Sequence, residues 1–176
     1  SPHYHPMSQG IALEGLRLVK DYLPRAFADG TDLEARAHMM SAAMMGATAF
    51  QKGLGAVHAI SHPIGAVYGT HHGMTNAVVI PPVLKLNRNA IEGRIGQAAD
   101  YLGIKGGFDG FFSYVLELRA GLGVPDNLGE MGIGTDRVEE LTAMALQDPS
   151  CGGNPIELTF ENTRQLLLDS ILLKNS

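Results

Sequence analysis

Cysteine is almost missing from this chain: Cys151 is the only one in 176 residues. One thiol excludes an internal disulfide and fits a reducing compartment. No signal peptide is recognisable, so the reading is a cytoplasmic protein. No apolar run approaches the roughly 18 residues of a membrane span. Blocks of like charge are missing too, because acids and bases are scattered around a net charge of -5. Without a basic face to track phosphates, nucleic acid is not an expected partner. Strand patterns are scarce: "AVVI" at 77–80 has β-propensity, but it is short and sits inside a helical pattern. There is no fixed-period repeat, low-complexity segment or interdomain linker. An initiator methionine is also lacking. The opening "SPHYHPMSQG" reads as the interior of a longer protein.

What is present is helical periodicity and enough apolar material, 45% of residues, to fill a core. Ala12, Leu16, Val19 and Leu23 form a helical stripe that Pro24 is expected to end. Thr31 with Glu34 reads as a capping box opening a helix to about Gln51. Its centre, "MMSAAMMGATAF", is expected to be a buried central helix, with Met filling irregular gaps. A further helix is expected over 55–67, a tight turn at "YGTHHG", and a helix over 73–86 that Pro81 and Pro82 kink or delay. Residues 89–102 and 108–120 also read as helices. Thr135 or Asp136 should cap a helix reaching Gln147, and Thr159 opens the last one, with Leu166, Leu167, Ile171 and Leu172 on its apolar side. The expected fold is all-α: one multi-helix domain over residues 1–176, built from seven to nine helices.

Chemistry concentrates in "AVHAISHPIGAVYGTHHGMTN", residues 56–76, which holds four of the seven histidines. His58 and His62 are four apart, one turn on the same helix face. The zinc-protease motif uses this spacing with a Glu after the first His; here Ala59 stands there, so that reading fails. His72 lies past the "YGT" turn, where two helices meeting can aim His58 and His72 at one point. A lone histidine on an apolar helix face is ordinarily a core or interface residue bonded to a carbonyl. Four within fifteen residues weigh toward a metal site. His71 should point elsewhere, and His3, His5 and His38 read as structural. Softness and geometry at a His-plus-carboxylate site allow iron(II) or zinc. Yet no acid lies in the stretch, and Asp29, Asp32 and Glu34 belong to a helix start. Either a distant acid folds in, or ligands precede Ser1.

Residues 53–87, "GLGAVHAISHPIGAVYGTHHGMTNAVVIPPVLKLN", strongly resemble the histidine-rich signature of the iron-containing (group III) alcohol dehydrogenases. Gly-Leu-Gly, the two histidines four apart, the later His-Gly and the Asn-Ala with its proline are all in place. "DGTDLEARAHMMSAAMMGATAF" and "CGGNP" resemble the helix before that signature and a late loop near the active site. The resemblance implies a C-terminal helical domain that works with an N-terminal nucleotide-binding domain, absent here. It implies a divalent metal, Fe2+ or Zn2+, held by an Asp, a His four residues later and two signature histidines. By position, the last two are His58 and His72. His62 matches a histidine that assists proton transfer. The implied reaction interconverts a small alcohol and its aldehyde or ketone by hydride transfer to or from NAD or NADP. "SPHYHP" offers no Asp-x-x-x-His, so the first ligand pair is expected before Ser1 and the isolated chain should be inactive. Cut from its partner domain, an apolar cleft face would favour a homo-oligomer. Near the site, Asn76 is expected to cap the helix or bond backbone, and Gly152 and Gly153 to give a mobile, close-approach loop that carries Cys151.

Two other classes compete: a freestanding helical module that binds metal without redox chemistry, and a helical interaction domain whose histidines merely pack.

Overall fold

The structure is a computed structural model that describes residues 1–174. Seven helices follow one another: α1 (Pro6–Ala28), α2 (Leu33–Ala49), α3 (Ala56–Tyr68), α4 (His72–Tyr101), α5 (Gly107–Gly121), α6 (Val138–Gln147) and α7 (Phe160–Leu172). Short 3-10 turns stand at Phe50–Lys52, Gly129–Met131 and Cys151–Gly153. No strand occurs among the described residues, so the all-α expectation holds. No helix among them is long and apolar enough to cross a membrane.

The chain groups into two compact units. The first takes residues 1–2, 54–92 and 115–176, and the second 3–53 and 93–114. The core of the first unit joins α3, α4, α6 and α7 through Ile60, Ile64, Val78, Val79, Leu141 and Leu167, all fully buried. The site described below is built on this core. In the second unit α1 packs on α2, where Gly15 lets Met45 approach; a Cβ on Gly15 would lie 3.4 Å from that of Met45.

Local departures from the sequence expectations have physical causes. Pro24 does not end α1, which continues to Ala28. Pro81 and Pro82 lie inside α4 without delaying it, and the helices expected over 73–86 and 89–102 run on as one of 30 residues. A proline in a helix interior costs about 3 kcal/mol. Burying a Val, Leu or Ile side chain returns about 1.5–3 kcal/mol. Val78, Val79 and Val83 are buried around the two prolines, themselves buried, so packing outweighs the local penalty.

Capping differs as well. Asp32 rather than Thr31 caps α2, accepting from Ala35 N at 2.9 Å, while Glu34 turns to Arg25. The Thr31 hydroxyl donates to Asp29 instead. Neither Thr135 nor Asp136 caps α6, whose N-cap is Arg137 without a side-chain bond. Thr159 does open α7, in a reciprocal capping box with Asn162. The methionine cluster of α2 is not a buried centre: Met40 and Met44 are 75% and 70% exposed, and only Ala35 and Ala42 are buried on that helix. Leu172 is likewise exposed, whereas Leu166, Leu167 and Ile171 are buried as expected.

Candidate metal and proton-transfer site

Gly55 caps the N-terminal end of α3, and Gly69, in left-handed geometry at φ 66°, ends it. Only a residue without Cβ adopts that conformation readily, so "YGT" closes the helix just where α4 must begin. α4 then starts at His72, one residue after His71, whose Nδ1 accepts from Met74 N at 3.2 Å. His71 therefore acts as a helix cap. His5 does the same for α1, accepting from Ser8 N, and His38 stacks on Tyr22. None of these three joins the site.

His58, His62 and His72 do come together. Their ring centroids lie 5.6 Å (58–62), 5.3 Å (58–72) and 5.5 Å (62–72) apart, a nearly equilateral triangle. With metal–nitrogen distances of about 2.1 Å, two imidazoles on one tetrahedral ion hold their centroids roughly 5 Å apart. All three spacings lie near that value. Among the described residues, however, no group of three His, Cys, Asp or Glu side chains is arranged to hold a metal ion. The three imidazoles thus lack, among the described residues, the further donors of a complete set.

The electrostatics suit ligation by neutral imidazole. Burial lowers the pKa of His58 below the usual histidine range, and the neighbouring His72 and His62 add to that; Asp148 opposes it. A neutral ring is the form that offers a lone pair to a metal. Asn76, expected to bond backbone, instead sets its amide Nδ2 3.0 Å from His72 Nε2. Its Oδ1 is buried without a hydrogen-bond partner. An orphaned acceptor beside His72 is favourable only where a donor or a cation comes to it. An open pocket of about 410 Å³ adjoins His58 and Asn76, walled by Val57, Ile80, Val83 and Asn87.

One acid does fold in. His62 Nδ1 lies 2.8 Å from Asp148 Oδ2, across 86 residues of sequence. Asp148 follows the end of α6, and its other oxygen accepts from Ser150 N at 2.7 Å. Burial raises the Asp148 pKa, but the Ser150 N–H and the His62 ring outweigh it, so the carboxyl is held below its ordinary value. This residue escaped the sequence reading, which saw no acid in the histidine stretch. The only hint was an Asp shortly before the loop singled out as near the active site. Cys151 is no activated thiol: burial, with Asp148 and Glu157, raises its pKa.

The glycines of that loop divide. A Cβ on Gly153 would stand 1.8 Å from Leu54 O, whereas Gly152 has open space. The close approach at Gly153 brings the loop against the start of α3. There Asn154 Oδ1 accepts from Ala56 N at 3.2 Å and from Asn87 Nδ2 at 2.9 Å. The helix that carries His58 and His62 is therefore anchored to both α4 and the loop.

Comparison with known proteins agrees with this architecture. Residues 1–171 match the profile of the Fe-containing alcohol dehydrogenase family, C-terminal. The chain is 38% identical to a 4-hydroxybutyrate dehydrogenase of Cupriavidus necator, over 97% of this chain and 47% of that protein. It is 32% identical to an NAD-dependent methanol dehydrogenase of Bacillus methanolicus, over 94% and 46%. A solved 1,3-propanediol oxidoreductase superposes with a TM-score of 0.92 at 27% identity, over 97% of this chain and 47% of that one. The chain belongs to the iron-containing alcohol dehydrogenase family, as its C-terminal helical domain. It spans about half the length of the curated relatives it matches.

Proposed function

We propose that this chain is the metal- and substrate-binding half of an alcohol dehydrogenase that moves hydride between a small alcohol and NAD or NADP. The observation that carries the reading is the 5.3 Å pairing of the His58 and His72 rings beside a third imidazole, His62. His58 and His72 would hold a divalent ion, iron or zinc, with the remaining ligands and the nicotinamide site supplied by polypeptide outside residues 1–176. When bound, such an ion supplies Lewis acidity at the alcohol or carbonyl oxygen. His62 takes the hydroxyl proton during oxidation and returns it during reduction. The pocket at His58 and Asn76 would receive the rest of the substrate. The names of both curated relatives carry primary alcohols, so a primary alcohol is the proposed substrate class. The single cysteine supports a cytoplasmic setting.

The test is steady-state turnover of the longer polypeptide with a primary alcohol, a divalent metal and a nicotinamide. The proposal expects metal-dependent turnover that His58→Ala and His72→Ala each abolish. Turnover unaffected by chelation, or robust turnover by residues 1–176 alone, contradicts it.

A further inference from the structure

We propose that Asp148 is a positioning residue for His62, fixing the ring proton on Nδ1 so that Nε2 is the bare nitrogen that exchanges the substrate proton. This rests on the dehydrogenase reading for its consequence, but not for its geometry.

The geometry determines the tautomer. An ionised carboxylate only accepts hydrogen bonds, and Asp148 Oδ2 lies 2.8 Å from His62 Nδ1. A neutral His62 must therefore carry its proton on Nδ1, leaving the Nε2 lone pair open. Asp148 itself cannot turn away. Oδ1 is held by Ser150 N at 2.7 Å, and the side chain is only 12% exposed against 42% for that of His62. A carboxylate gripped at both oxygens, with a more open imidazole on one of them, is an arrangement in which the acid orients and the imidazole reacts. In alcohol oxidation the hydroxyl O–H bond breaks, its electron pair stays on the alcohol oxygen, and the proton bonds to His62 Nε2. The resulting imidazolium is stabilised by Asp148, which remains a carboxylate. In aldehyde reduction the same proton returns.

Asp148→Asn makes a sharp test, because Ser150 N fixes the orientation of the new amide. Its oxygen stays with the Ser150 donor, so its NH₂ faces His62 Nδ1 and drives the ring to the opposite tautomer. The readout is the long-range ¹H–¹⁵N spectrum of the labelled chain above the imidazole titration range, with His62→Gln assigning the signals. The wild type should show His62 protonated on Nδ1, and D148N should show it protonated on Nε2. A wild-type ring protonated on Nε2 overturns the proposal, as does an unchanged tautomer in D148N. Should D148N not fold, the wild-type spectrum alone decides.

In the longer enzyme with metal and nicotinamide, D148N should lower kcat by roughly 10–100-fold with KM for the alcohol little changed. An unchanged kcat also overturns the proposal. The tautomer measurement needs neither metal nor cofactor. An inactive wild-type enzyme that still shows the Nδ1–H tautomer would therefore sink the dehydrogenase reading while supporting the Asp148–His62 assignment.

Discussion

Asn87 and Asn154 meet amide to amide in the interior, each donating to the other at 2.9 and 2.8 Å. Asn154 also donates to Ile156 O and accepts from Ala56 N, so one side chain ties α4, the late loop and the first turn of α3 together. Both residues are buried, at 4% and 8% exposure, where an unpaired amide is costly.

Removing one amide strands its partner. Asn154→Ala should destabilise the chain by about 2–3 kcal/mol, because Asn87 and Ala56 N lose their acceptor. Asn87→Ala should cost less, since Asn154 keeps two partners. The double variant should cost less than the sum of the two. Urea unfolding of the four proteins measures this; simple additivity would show that the pair does not act as a unit.

The two neighbouring loop glycines should behave differently. Gly153→Ala places a methyl against Leu54 O at 1.8 Å, so the loop must move, at a cost of about 1–3 kcal/mol. Gly152→Ala meets nothing within 4 Å and should be neutral within about 0.5 kcal/mol. Melting temperatures of the two variants separate these outcomes.

Glu14 carries a pH prediction. Hydrogen bonds from Arg17 and then Tyr101 outweigh desolvation and hold its carboxyl down to about 2, below its ordinary 4.5. Its folded-state pKa is depressed, so its contribution to stability is fully present above the unfolded value. That contribution is lost as pH falls toward about 2. The side-chain carboxyl titration followed by NMR should show Glu14 as a late-protonating acid, and Tyr101→Phe should raise its midpoint. The group faces solvent, so added salt should weaken the shift.

The start of α2 gives a paired comparison. Asp32→Ala removes the bond to Ala35 N and should cost about 1 kcal/mol, while Thr31→Ala should cost clearly less. Equal losses would reinstate Thr31 as the cap.

How far the sequence was legible follows from these cases. α3 was readable at both ends, because glycines mark its start and stop and the i, i+4 spacing of His58 and His62 needs only a helix. α7 was readable from Thr159 as its opening residue and from the apolar spacing of Leu166, Leu167 and Ile171. The prolines misled because their penalty is local, whereas the burial that overrides it at Val78 and Val79 is tertiary. The α2 methionines misled because an alternation of Met and Ala looks the same whether or not a partner covers it. Thr31 and Asp32 are adjacent cap formers, and only the backbone decides between them. Asp148 was out of reach: its contact with His62 spans 86 residues and depends on how α6 packs on α3.

The most direct test is a Zn2+ titration by calorimetry of the longer polypeptide that carries the remaining ligands, comparing wild type with His58→Ala, His72→Ala and His38→Ala. The account predicts one class of site whose affinity drops roughly tenfold or more in each of the first two variants and is unchanged in the third. Wild-type affinity retained by both His58→Ala and His72→Ala would contradict it.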